Sequence, residues 1–178
     1  MPKLTAYHGK KSVKNKYVER VKAHYDADEI VQGTYWERGK GCAVGCTIEG
    51  NEHGRYETEL GIPAELAYLE DGLFEELKNG DAKEFPLRFL KAIKPGADLS
   101  LVTAKFMIWQ FEDKKFGIKH IKEVKADKEL LGFCNRVVDL YKRKLKGDTP
   151  TEKEFYDLYV EIDRAWAGAG AGAWARAG

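Results

Sequence analysis

A chain of 178 residues, 43% hydrophobic and 12% aromatic, can bury a core without disulfides, which excludes a disordered or disulfide-stapled protein. Its 30 basic and 29 acidic residues leave a net charge of +1, so no global field favours bulk nucleic acid or a membrane surface. Cys42, Cys46 and Cys134 make an odd count without a secretory leader pattern, and no apolar run nears the ~20 residues of a membrane span, so the expectation is a soluble cytoplasmic protein.

Residues 1–11 are polar and irregular, with Tyr7-His8-Gly9 suited to a turn. Ser12 can cap a helix over 12–32, with Val13, Tyr17 and Val21 as its stripe, Val18 and Tyr25 beside it, His24 on it and Gly33 as its stop. The stretch 35–46, YWERGKGCAVGC, follows, and Ile48-Glu49-Gly50-Asn51 has the composition of a turn. Residues 53–60 read as a short helix closed by Gly61. Pro63 opens the next helix, with Leu66, Leu69, Leu73 and Leu77 on one side and a stop at Asn79-Gly80. A helix over 82–93 contains Pro86, and Lys94-Pro95-Gly96 breaks the chain. Asp98 then caps a helix over 99–111, with Leu99, Val102, Phe106 and Trp109 as inner face; its apolar content marks it as the expected central core helix.

Residues 112–117 read as a loop, 118–124 as a short strand or ragged helix start, and 125–146 as a helix ended by Gly147. Thr149-Pro150-Thr151-Glu152 supplies a cap, a proline in first position and a carboxylate in third for a helix burying Phe155, Leu158, Tyr159, Ile162 and Trp166. From Ala165 the chain alternates alanine with glycine and tryptophan. Each helical glycine there costs roughly 1 kcal/mol relative to alanine. The tail reads as low-complexity sequence, ordered only where Trp166 and Trp174 find grooves. The expected architecture is all-α: a single compact domain of six to eight helices over 1–164, then an Ala/Gly/Trp tail over 165–178.

The chemistry centres on 35–46. If Cys42 begins a helix, Gly39 and Gly41 can turn amides toward an anion at its N-terminus, with Lys40 adding charge. The competing reading is a tight turn and a glycine-mediated close contact. The segment lacks the frame of a Walker phosphate loop. Cys42 and Cys46 share a helix face, but a structural zinc site wants a second ligand pair and no HxxxH exists, so no metal or cofactor is expected there. A nucleophilic Cys42 would need His24 or His53 as base.

His24 with Asp28, and His53 with Glu57, are spaced to present nitrogen and oxygen on one helix face. Tyr35, Trp36, Arg38 and Arg55 suit stacking on a planar ring. Glu70, Asp71, Glu75 and Glu76 cluster on the leucine helix and are expected to face water, although Asp71 and Glu75 could share a metal.

The phrases AYHG, KYVERVKAH, DEIVQGTYW, GKGCAVGCT and HGRYETELGIPAELAYLEDGLFE resemble an uncharacterised family of phages, prophages and bacteria, often with an alanine-rich C-terminal tail. The likeness covers about residues 5–112 and returns in the tail composition, where the glycines depart from the usual pattern. The resemblance implies no catalytic roles; its phage setting implies a counter-defence protein. The resulting expectation is non-catalytic binding of an anionic, nucleotide-type small molecule. Its expected contacts are Arg20, His24, Tyr35, Trp36, Gly39, Lys40, Gly41, Cys42, His53, Tyr56 and Glu57. A Cys/His or metal-dependent phosphodiesterase and a protein–protein module using the tail are the alternatives. No membrane or bulk nucleic-acid partner is expected, and a homo-oligomer is left open.

Overall fold

The structure is a computed structural model that describes residues 4–177, with side chains described except at position 79 and over 166–177. The expectation for Trp166 and Trp174 therefore lies outside the described side chains. Contacts group the chain into two units, Met1–Thr103 and Ala104–Gly178. Both are helical; among the described residues the only sheet has two strands, so the fold is all-α as expected. No described helix is long and apolar enough to cross a membrane.

The first unit is organised around one of its shortest helices. α2 (Ala43–Ile48) is buried at every position and contacts α1 (Lys11–Asp26), α3 (Ala64–Glu76) and α4 (Asn79–Ala92). A six-residue helix is too short to be stable alone; burial against three neighbours holds it. Tyr17 and Val21 of α1, Leu66, Ala67 and Phe74 of α3, and Leu90 of α4 share its core. Tyr7 joins them from a turn in which Tyr7 and His8 both take left-handed backbone, and its hydroxyl donates to the Leu90 carbonyl at 2.7 Å.

Several boundaries depart from the sequence expectations. α1 stops at Asp26, not residue 32, and Asp28 turns the chain at φ 57°. Ile30 and Val31 are β-branched and run extended instead, with the Val31 amide donating to the Gly41 carbonyl at 2.9 Å. The expected stop at Asn79-Gly80 is the start of α4, which carries Pro86 inside it. The short helix expected over 53–60 is present as a π-helical turn, Tyr56–Leu60, closed by Gly61 in the left-handed region.

The expected central helix is displaced from that role. It forms as α5 (Val102–Glu112), yet only Ala104 is buried in it, while Val102 and Trp109 are exposed. Its apolar residues run round the whole circumference, so periodicity could not select an inner face. Leu99 lies before the helix and belongs to the first unit's core.

In the second unit a 3₁₀ turn, Ile118–His120, precedes α6 (Lys122–Ala126), so 118–124 is a ragged helix start rather than a strand. α7 (Lys128–Leu145) is capped by Asp127, which accepts from the amides of Glu129 and Leu130. α8 (Glu152–Ala177) is capped two residues later than the sequence suggested. Thr151 Oγ1 accepts from the Glu154 amide at 3.3 Å, and Glu154 Oε2 accepts from the Thr151 amide at 2.8 Å, a reciprocal capping box.

Candidate functional site

The stretch 35–46 folds as a hairpin running into α2. β1 (Trp36–Glu37) pairs antiparallel with β2 (Lys40–Gly41), with Arg38 at φ 51° and Gly39 at φ 83° between them. Positive φ at both central residues is the turn that matches strand twist, and it explains glycine at 39. Gly41 and Gly45 are small for another reason. A β-carbon at either position would overlap the Tyr35 carbonyl, so the Tyr35–Trp36 backbone lies directly on the start of α2.

Of the amides expected to cradle an anion, that of Gly41 is used inside the protein, as is that of Cys42 beside it. Gly41 N–H donates to the Glu29 carbonyl at 3.0 Å, and Cys42 N–H donates to the Thr34 carbonyl at 2.7 Å. Gly45 N–H donates to Cys42 Sγ at 3.4 Å, making the thiol the N-cap of α2. Close contact is therefore the role of Gly41 and Gly45. Lys40 and Arg38 remain at the exposed hairpin tip, beside an open hollow of about 320 Å³ lined by Val31, Thr34, Glu37, Arg38 and Lys40. Arg38 lies 3.5 Å from the Glu37 carboxylate; Lys40 has no carboxylate within 4.0 Å among the described residues.

The remaining expected contacts divide into separate groups. Arg20, His24 and Trp36 gather at the C-terminal end of α2. Arg20 donates to the Thr47 carbonyl at 3.1 Å and pairs with Glu49 at 3.2 Å. His24 bonds Glu29 at 2.7 Å and meets Trp36 edge-on. The His24–Asp28 pair does not form: Asp28 faces away on its left-handed turn and pairs with Lys83. Nor does His53 meet Glu57, whose carboxylate accepts from the Ala64 amide at 3.1 Å and caps α3. Tyr56 is wholly inside the core.

Tyr35, Cys42 and His53 do converge, on a face of α3 expected to be solvent. The Tyr35 hydroxyl meets the His53 ring at Nδ1 and, at 2.7 Å, at Nε2. Tyr68 stacks on the other side of that ring at 4.0 Å, and His53 Nε2 lies 3.4 Å from Asp71 Oδ2. Ligand atoms of Cys42, Asp71 and Glu75 lie within 4.8 Å of one another. Burial, with the neighbouring Asp71 adding, pushes the Cys42 thiol up to about 12, so it is protonated at neutral pH. Burial likewise pushes Cys46 up to about 12.

Glu70 is the largest departure from expectation. It is fully buried, its Oε2 accepts from the Tyr56 hydroxyl at 2.7 Å, and its Oε1 has no partner. Desolvation pushes its carboxyl up to about 8, so it is mostly neutral at pH 7. Leu66, Glu70 and Phe74 fall four apart, and that spacing is the sequence signal for the true buried line of α3.

Comparison with models of protein families, with curated proteins and with solved structures finds no match to this chain. Burial keeps both thiols of the site protonated, so neither is an activated nucleophile.

Proposed function

We propose that the first unit binds an anionic small molecule of nucleotide type without turning it over. The observation that supports this reading is the hollow at the hairpin tip, where Arg38 and Lys40 project beside Thr34 and Val31. A phosphate there gains two cations and a hydroxyl, and Val31 offers apolar contact to a ring. Lys40 forms no ion pair within 4.0 Å among the described residues, and its attraction to Asp28 acts over a longer distance, so it is available to engage a phosphate. In the setting that the phage resemblance implies, such a binder would sequester a bacterial nucleotide signal.

Isothermal titration with a panel of mono-, di- and cyclic nucleotides tests the reading. At least one ligand binds in the micromolar range, and Lys40→Glu weakens it by about tenfold or more, the equivalent of ~1.4 kcal/mol. A panel in which nothing binds more tightly than about 1 mM ends the proposal. A metal-dependent phosphodiesterase is the second reading, favoured by the approach of Cys42, Asp71 and Glu75. Turnover of a bound nucleotide that a chelator abolishes, and that persists in Cys46→Ser, would select it.

A further inference from the structure

We propose that Cys42, Asp71 and Glu75 form a three-ligand site for a divalent cation of the zinc class, with the fourth position open to solvent and His53 positioning Asp71. The site stands apart from the anion reading, which uses the opposite end of the hairpin, and shares its three residues with the metal-dependent second reading, which needs turnover where this inference needs only bound metal.

Three features carry it. The first is spacing. Ligand bonds of about 2.1 Å at a tetrahedral angle put ligand atoms about 3.4 Å apart. The Cys42, Asp71 and Glu75 atoms lie within 4.8 Å of one another, so closing on an ion needs side-chain adjustment only. The second is that each ligand is already held by another donor. Gly45 N–H bonds Cys42 Sγ at 3.4 Å, His53 Nε2 lies 3.4 Å from Asp71 Oδ2, and Gly33 N–H bonds a Glu75 oxygen at 2.9 Å. Gln32 Nε2 donates to the Phe74, Glu75 and Leu77 carbonyls, fixing the end of α3 that carries Glu75. Orientation by outer partners of this kind is what metal ligands require. The third is Asp71 Oδ1, a buried carboxylate oxygen with no partner among the described residues. A buried acceptor left unmatched is costly, and a cation between it, the thiol and Glu75 would satisfy it.

The donor set selects the ion. A sulfur with two carboxylates is borderline in softness, which fits zinc and disfavours magnesium or calcium, whose shells are all oxygen. Coordination replaces the thiol proton of Cys42, which leaves to solvent as the S–metal bond forms. Glu75 is exposed, so the fourth position faces water rather than a closed Cys₄-type shell.

The test uses the full chain with zinc or cobalt ions alone. Native mass spectrometry after zinc addition is expected to show one retained ion per chain, and cobalt is expected to give a thiolate-to-metal charge-transfer band. Cys42→Ser removes the band. Glu75→Gln, at an exposed position that leaves folding intact, lowers zinc affinity by at least about tenfold, and His53→Gln lowers it by about ten- to a hundredfold while the band remains. Retention of no ion, or equal affinity in the wild type and Glu75→Gln, overturns the site. A cobalt band that survives in folded Cys42→Ser also overturns it. Should Cys42→Ser not fold, the Glu75→Gln comparison decides alone.

Discussion

Tyr56 and Glu70 show how one polar pair is accommodated in the core of the first unit. Tyr56 donates to one Glu70 oxygen, and the other oxygen has nothing. Because the carboxyl is mostly neutral, the unit avoids a buried charge and carries only an unmatched acceptor. Tyr56→Phe removes the single partner and leaves the whole carboxyl unsatisfied. The expected loss is about 1–3 kcal/mol in urea titration. Glu70→Gln keeps the tyrosine bond and is expected to be neutral or stabilising; a larger loss than Tyr56→Phe would refute this account. At Gly45, an added methyl must displace the Tyr35 carbonyl, so Gly45→Ala is expected to cost about 1–3 kcal/mol. At this scale the sequence was legible for glycine and misleading for glutamate. Helical glycines at a close contact are recognisable by type. Whether Glu70 faces water depends on which of two adjacent stripes of α3 the neighbours cover.

Elements were easier to find than to delimit. Ser12 lies inside α1, whose N-cap is Lys10 without a side-chain cap bond, and α5 starts four residues after Asp98; only α8 has the expected kind of cap, two residues on at Thr151. The hairpin was not read, since strands of two residues leave no alternation to detect. The cap of α8 carries a pH consequence. Arg143 pairs with Glu154 at 2.5 Å, and this pair, with the bonds from the Thr151 amide and hydroxyl, holds Glu154 down at about 2 from an ordinary 4.5. A carboxyl depressed on folding gives stability that is complete above its unfolded value and lost as pH falls through its folded value. Protection of α8 amides from hydrogen exchange is therefore expected to decline between pH 4.5 and about 2 in the wild type. Glu154→Gln, already without the charge, shows a smaller decline; an equal decline in both proteins would place the acid sensitivity elsewhere. Thr151→Ala lowers α8 protection at every pH by the equivalent of about 1 kcal/mol.

At the scale of the whole chain, the distribution of buried side chains separates the two units. The first unit's core runs continuously from Ala6 to Leu99 and includes all of α2. In the second unit Ala104, Cys134, Val138, Pro150 and Leu158 are the buried apolar side chains among the described residues, and α7 and α8 are joined by the ion pairs Arg136–Glu161 and Arg143–Glu154. Exposed ion pairs contribute at most about 1 kcal/mol each, whereas a fully buried aliphatic or aromatic side chain contributes about 1.5–3 kcal/mol. Local stability should therefore fall from the first unit to the second. Native-state hydrogen exchange read by mass spectrometry is expected to find the slowest amides in α2 and in the turns of α1 and α3 against it. Amides of α7 and α8 exchange faster, through openings that leave the first unit closed. High salt accentuates the difference, because it screens the α7–α8 ion pairs and leaves the apolar core untouched. Equal protection in α2 and α8, unchanged by salt, would mean that ionic pairing stabilises the second unit as strongly as burial stabilises the first.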